Sequence, residues 1–187
     1  MFIKVLISLF FFIIFFSNVQ ANEKQYIIDQ ILRINNFTFN FEQITKEKVE
    51  NGSCLIQFDN KLKCNYNDKL QKEVIINNKK LVILQKRYNK IYFYPVSKSV
   101  FMNILSKNQL INLIKKADLL LNKNIELVYV DENQKIITIL FEKKNYELIG
   151  WLIEDEFQNE IYFSLKVENI NSEIDKNYFK IPSTIKQ

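Results

Sequence analysis

Hydrophobic spacing along this chain alternates between the two periods of regular secondary structure. Tyr26, Ile27, Ile28, Ile31, Leu32 and Ile34 recur at helical spacing, with Gly and Pro absent. They predict an amphipathic helix from Asn22 to Asn35. From Phe37 to Ile44 apolar and polar residues then alternate strictly, which is a strand with a wide aromatic face. Short β-rich segments follow at Ser53–Phe58, Leu62–Asn67, Glu73–Ile76, Lys80–Leu84 and Lys90–Tyr94. Asp59-Asn60 and Asn77-Asn78 supply turns. Residues 97–122 return to helical spacing through Val100, Phe101, Ile104 and Leu105, then Leu110, Leu113, Ile114 and Ala117, then Leu119-Leu120-Leu121. Asn108 is the expected cap of the second piece. Strands resume at Ile125–Val130, Lys135–Phe141, Tyr146–Ile153 and Ile161–Val167, and Ser172–Phe179 reads as a helical turn. Evenly spaced short strands around a helical insertion predict one domain, an antiparallel meander curling into a barrel.

The first 21 residues carry a different pattern. Lys4 precedes a run from Val5 to Phe16 that is apolar but for Ser8, and Val19-Gln20-Ala21 places small residues at the −3 and −1 positions of a cleavage site. This is the three-part pattern of a secretory signal, and the run is short of the roughly 20 residues a spanning helix needs. Cleavage after Ala21 is expected. It leaves residues 22–187 with 25 basic and 21 acidic side chains, a net +4. No Cys stands at the cleavage point, so lipidation there is not expected.

Composition narrows the chemistry. The chain has 28 Ile, 24 Lys and 23 Asn against 2 Gly, 2 Pro and no His. Without His, triads and metal sites built on imidazole are excluded; with two glycines, so are glycine-rich phosphate loops. Hydrophobic residues make up 48% of the chain, which rules out disorder. Cys54 and Cys64 flank the Asp59-Asn60 turn, and a hairpin folding about residue 59 sets them opposite each other. Opposed Cα atoms at about 4.5–5.5 Å suit a disulfide, and an exported chain sits in an oxidising compartment. Two free thiols are the alternative.

The chain carries 16 Phe, 9 Tyr and one Trp. Any single ring belongs by default to the core. Collectively, Phe37, Phe39 and Phe41 at one end of a broad sheet, covered by greasy mid-chain helices, fit a chamber for an apolar ligand. The carboxylates of Asp131-Glu132 and Glu154-Asp155-Glu156 read as solvated turns, and no base stands ready for a serine nucleophile. The Lys pairs 79-80, 115-116 and 143-144 form no nucleic-acid track.

Several of these segments resemble the LolA family, the periplasmic chaperones that carry lipoproteins between the two membranes of Gram-negative bacteria. That family opens with a helix and a Phe-x-x-x-Phe-x-Gln strand, and Phe37, Phe41 and Gln43 stand at that spacing. Gly52–Phe58 and Lys63–Tyr66 are similar to its Gly-led strand and following aromatic strand. Asn77 to Leu81 takes the place of an Asp-Gly turn before an apolar strand. Tyr94-Pro95, the short helix Phe101–Leu105 and the terminal Phe179–Pro182 follow in the family's order.

The resemblance implies a mainly β (α+β) fold: a half-open antiparallel β-barrel of about eleven strands, with an N-terminal helix and a helical lid inserted mid-sheet. It implies a periplasmic carrier that binds the acyl chains of lipoproteins released from the inner membrane and delivers them to the outer membrane. Its partners would be those acyl chains, an inner-membrane lipoprotein-releasing ABC transporter and an outer-membrane lipoprotein acceptor. No enzyme activity, cofactor, metal or nucleic acid is expected, and the protein should be a monomer. Three acyl chains hold roughly 45 methylenes, an apolar transfer term on the order of 35 kcal/mol, so the ligand must travel shielded. Phe37, Phe39, Phe41, Ile56, Phe58 and Tyr66 are the expected cavity residues. Phe101, Ile104, Leu105, Leu110, Leu113 and Ile114 are the expected lid, and Leu105→Glu is expected to fold yet lose lipid uptake. The family's Arg-Pro before the first hairpin turn, whose Arg holds the lid shut, is replaced by Phe58-Asp59. An apolar contact from Phe58 is expected instead of a polar latch. A second reading is an exported lipid- or peptide-sensing regulatory module on the same half-barrel.

Overall fold

The structure, a computed structural model, describes residues 22–46, 48–95, 104–132, 134–154 and 159–182. The signal segment, Val100, Phe101, Asp155 and Glu156 lie outside the described residues. Helix α1 spans residues 22–33. The strands are β1 (Asn36–Thr45), β2 (Lys48–Gln57), β3 (Lys61–Tyr66), β4 (Lys72–Asn77), β5 (Lys80–Gln85) and β6 (Lys90–Pro95), then β7 (Asp118–Leu121), β8 (Ile125–Val130), β9 (Ile136–Phe141), β10 (Leu148–Glu154) and β11 (Glu160–Ile170). Helix α2, Lys107–Lys116, lies between β6 and β7.

All eleven strands form one sheet in the order β6-β5-β4-β3-β2-β1-β11-β10-β9-β8-β7. Within β1–β6 and within β7–β11 neighbours in sequence pair antiparallel, and the two halves are joined where β1 meets β11. The edges β6 and β7 do not pair with each other, so the barrel stays half-open.

Among the described residues, four of the eight left-handed positions fall to asparagine. Asn60, Asn78, Asn89 and Asn171 all have φ between 52° and 64°, and neither glycine has a positive φ. Asn tolerates the left-handed region better than other side chains because its short amide bonds locally. The glycines serve close approach instead. A Cβ on Gly52 would collide with the Asn65 carbonyl oxygen and crowd the Phe41 ring. Its absence lets Phe41 lean edge-on against Tyr66, ring centres 4.9 Å apart.

The inner face reads directly from register. One row runs Phe37–Ile56–Leu62–Ile76–Leu81 and the next Phe39–Cys54–Cys64–Val74. On the β11 side of the seam, where Phe163 pairs with Gln43, a further inner row runs Phe163–Trp151–Ile139–Leu127–Leu119. These side chains, with Ile27, Ile28 and Ile31 of α1 and Leu110, Leu113 and Ile114 of α2, form one buried core. On the outer face, Ile75, Val82 and Leu84 form a second small core with Ile91 and Ile181 packed against it, and Phe179 is buried, its carbonyl taking the Asn77 side-chain N–H at 3.1 Å.

Three readings of the sequence need correction. Leu119-Leu120-Leu121 is strand β7, not helix, because Ala117 turns extended and Leu119 pairs with Leu127. Ser106, not Asn108, occupies the position before α2, and it makes no side-chain cap bond. Residues 172–179 hold no helix, only a turn at 176–179. Strand β2 also begins at Lys48, five residues before the apolar signal at Ser53, because its first half faces solvent and pairs backbone-to-backbone with β1.

Candidate functional site

A partly open cavity of about 520 Å³ lies between the inner face and the two helices. Its walls are apolar: Ile31 from α1 and Ile34 just after it, Phe37 and Ile56 from β1 and β2, Ile139 and Phe141 from β9, and Ile104 and Leu110 from the mid-chain insertion. Gln30, Asn145, Glu147, Glu168 and Asn169 supply its polar lining. Tyr146, in the same lining, holds φ at 58° and stacks on Tyr26 at 5.3 Å. A positive φ at an aromatic residue is a strained conformation. The Tyr146 hydroxyl is held above its usual pKa, chiefly by its hydrogen bond to Glu23.

The structure divides the expected cavity residues into two groups. Phe37, Ile56 and Phe58 line the cavity. Phe39, Phe41 and Tyr66 do not, because they belong to a solid aromatic stack. Phe41 stacks on Phe163 at 4.7 Å, Phe163 on Trp151 at 4.8 Å, and Phe39 meets Trp151 edge-on at 6.2 Å. Tyr66 closes the stack and donates its hydroxyl proton to Gln43 at 2.9 Å; burial, then the charges of Glu50 and Asp68, raises its pKa. One end of the inner face is therefore filled and the other hollow.

Of the expected lid, Ile104 and Leu110 border the cavity. Leu105, Leu113 and Ile114 are buried in the core instead, and Phe101 lies outside the described residues. Ile31, Ile34, Ile139 and Phe141 were missed as wall residues. Their signals were present, as helical spacing in α1 and the period of two through Ile137, Ile139 and Phe141.

Helix α2 has no side-chain cap of its own and no acid in its first turn. Both of its ends are held from outside. At the N-terminus, the Asp59 carboxylate accepts the Lys107 backbone N–H at 2.7 Å, and the Asn60 N–H bonds the Leu105 carbonyl at 3.0 Å. The Lys107 ammonium lies 5.5 Å from the Phe58 ring centre. At the C-terminus, the Lys24 ammonium donates to the carbonyls of Ala117 and Lys115 at 2.5 and 3.2 Å. An anion at the first turn and a cation at the last match the helix dipole. The expectation of an apolar latch at Phe58 is thus corrected: Phe58 does touch the lid, but the polar tie is made by its neighbour Asp59.

Cys54 and Cys64 form a disulfide across β2 and β3, their Cα atoms 4.1 Å apart in the predicted register. It sits on the inner face between Phe39 and Val74. Among the described residues, no group of three or more His, Cys, Asp or Glu side chains is placed to hold a metal ion. What the arrangement offers is volume. Taking about 30 Å³ per methylene, near the share of a water in the liquid, 520 Å³ holds about 17 methylenes, or one acyl chain.

No curated protein matches the sequence. Among solved structures, MucB superposes with a TM-score of 0.52 at 11% identity, over 88% of this chain and 64% of that one. A LolA superfamily protein of Nitrosomonas europaea gives 0.42 at 8% identity, over 84% and 97%. The lipoprotein LppX of Mycobacterium tuberculosis gives 0.49 at 10%, over 84% and 98%. This chain spans about three fifths of the MucB chains, 61% in the Pseudomonas aeruginosa MucA/MucB complex. The sequence profile of the outer membrane lipoprotein carrier protein LolA matches residues 33–182, all eleven strands and α2, and the chain belongs to that family.

Proposed function

We propose that this protein is an exported carrier that shields the acyl chains of lipoproteins between two membranes. It would accept them from an inner-membrane lipoprotein-releasing ABC transporter and yield them to an outer-membrane acceptor, as a monomer and without catalysing a reaction. The observation that carries this reading is the apolar hollow beneath a helix that packs its apolar face on the core and has polar ties from Asp59 and Lys24 at its two ends. Membership of the family supports it. One chain fits the hollow as it stands, so a three-chain anchor requires α2 to move, and displacement of α2 also lowers the holding energy enough for a better acceptor to take the cargo.

Intact-mass measurement on protein purified from its native compartment tests the reading. A bound acylated protein or lipid is expected. Ile34→Trp should narrow the hollow and weaken that adduct while leaving the fold intact, since Ile34 is only half-buried at the wall. Protein that is consistently empty and extracts no lipoprotein from vesicles would overturn the carrier and favour the sensing module.

A further inference from the structure

Charge is divided unevenly along the chain. From Val74 to Ala117 there are nine Lys and Arg residues and no Asp or Glu. From Asp118 to Ile170, the strands β7 to β11, there are 11 acidic residues and 5 basic. Strand order turns much of this into a spatial division: Lys79, Lys80, Lys86, Arg87 and Lys90 lie on β5, β6 and the turns beside them at one edge of the sheet, while β7 to β11 make the other half.

The basic edge is also aromatic. Phe93 is 64% exposed, Tyr94 49% and Tyr92 36%, and Tyr88 in the β5–β6 turn is 56% exposed. Lys80, Lys86, Arg87 and Lys90 stand exposed among them. Phe93 pairs with Val82 on the outer face, while Tyr92 and Tyr94 pair with Ile83 and Leu81 on the inner face. Rings therefore project from both sides of one edge. The nearest acids are already engaged: Glu73 is buried against Lys63 and Lys86, and Asp68 accepts the Lys72 N–H.

We propose that the β6 edge and the β5–β6 turn dock this protein on the surface of an anionic lipid bilayer. Tyr and Phe rings settle at headgroup depth, and Lys and Arg beside them are drawn to anionic headgroups. The charge complementarity is one-sided, since the acidic half of the sheet is repelled and the molecule is oriented edge-on. An added peptide strand is the weaker occupant. Strand addition takes its specificity from pockets for alternate side chains, and β6 contributes nothing to the cavity.

Co-sedimentation of the mature chain with vesicles tests the proposal, using phosphatidylglycerol with phosphatidylcholine against phosphatidylcholine alone. Binding only to the anionic vesicles, weakened by salt, is expected. Each basic residue removed should weaken binding roughly fivefold, so Arg87→Ala with Lys90→Ala loses on the order of 20-fold. Tyr88→Ser with Phe93→Ser should also weaken binding, with an unchanged salt slope. Lys143→Ala with Lys144→Ala, in the turn of the opposite half, should bind as wild type. Circular dichroism and the emission of buried Trp151 confirm that each variant is folded. Absence of binding to anionic vesicles, equal binding by the Arg87/Lys90 variant, or binding of an acidic peptide in place of vesicles would each overturn the proposal. Vesicles free of lipoprotein keep this outcome separate from the carrier reading.

Discussion

Removing the Asp59 carboxylate should loosen the lid by a predictable amount. Asp59 accepts the first backbone N–H of α2 at 2.7 Å and adds a negative charge where that helix is positive. Loss of a capping side chain costs typically about 1 kcal/mol, and the charge alone about 0.3–1 kcal/mol. Asp59 is exposed, so a total of about 1 kcal/mol applies to Asp59→Ala, which shifts the open–closed equilibrium of α2 about fivefold. Asp59→Asn keeps an acceptor and loses only the charge, for about a twofold shift. Native-state hydrogen exchange reads this directly. Amides from Lys107 to Leu110 should exchange about fivefold faster in Asp59→Ala, while those in β1 and β11 at the centre of the sheet stay unchanged. Uptake of a fluorescent acyl ligand should speed up in parallel. Unchanged exchange in α2, or equal acceleration in β1, would refute the latch.

Other perturbations follow from the same geometry. Leu105→Glu should not fold normally, contrary to the reading from sequence, because Leu105 is fully buried in the core; an uncompensated buried charge costs roughly 3–5 kcal/mol, so a collapse of the melting temperature is expected, and a native-like melt would refute the placement. Cys54→Ala with Cys64→Ala opens a crosslink of sequence separation 10, which should lower unfolding free energy by roughly 2–3 kcal/mol in a denaturant titration; denatured, unreduced wild type should show no free thiol. Glu50 bonds Lys72 and Lys48 at 2.6 and 2.9 Å, and although burial by itself would raise its carboxyl pKa, those two ammonium groups hold it below the usual value. A depressed carboxyl binds its proton less tightly when folded, so its contribution is present above the unfolded value near about 4.3 and disappears as pH falls through the folded one. Glu50→Gln should flatten the acid limb of stability against pH, and an unaltered limb would remove Glu50 from the account.

Local pattern was enough for most of the fold. Alternation from Phe37 to Ile44 marked β1, and the Asp59-Asn60 turn set Cys54 opposite Cys64, because hairpin register is a matter of counting residues from a turn. Helical spacing marked α1 for the same reason. Two features escaped. Leu119–Leu121 reads equally as the end of a greasy helix or as an edge strand, and only the presence of β8 beside it decides. The polar first half of β2 carries no apolar signal at all, yet backbone pairing with β1 makes it a strand.

By itself, the sequence determined which side chains share a face, since parity within a strand and spacing within a helix are covalent facts. It did not determine what lies across from that face. Phe37, Phe39 and Phe41 have identical parity on one strand, yet Phe37 borders a hollow while Phe39 and Phe41 are filled in by Trp151 and Phe163, more than a hundred residues away in the chain. The tie between Asp59 and Lys107 likewise exists only because the first hairpin and the lid helix meet in space. Cavity and latch are products of long-range packing, where volumes and partners are set by elements that no local window contains.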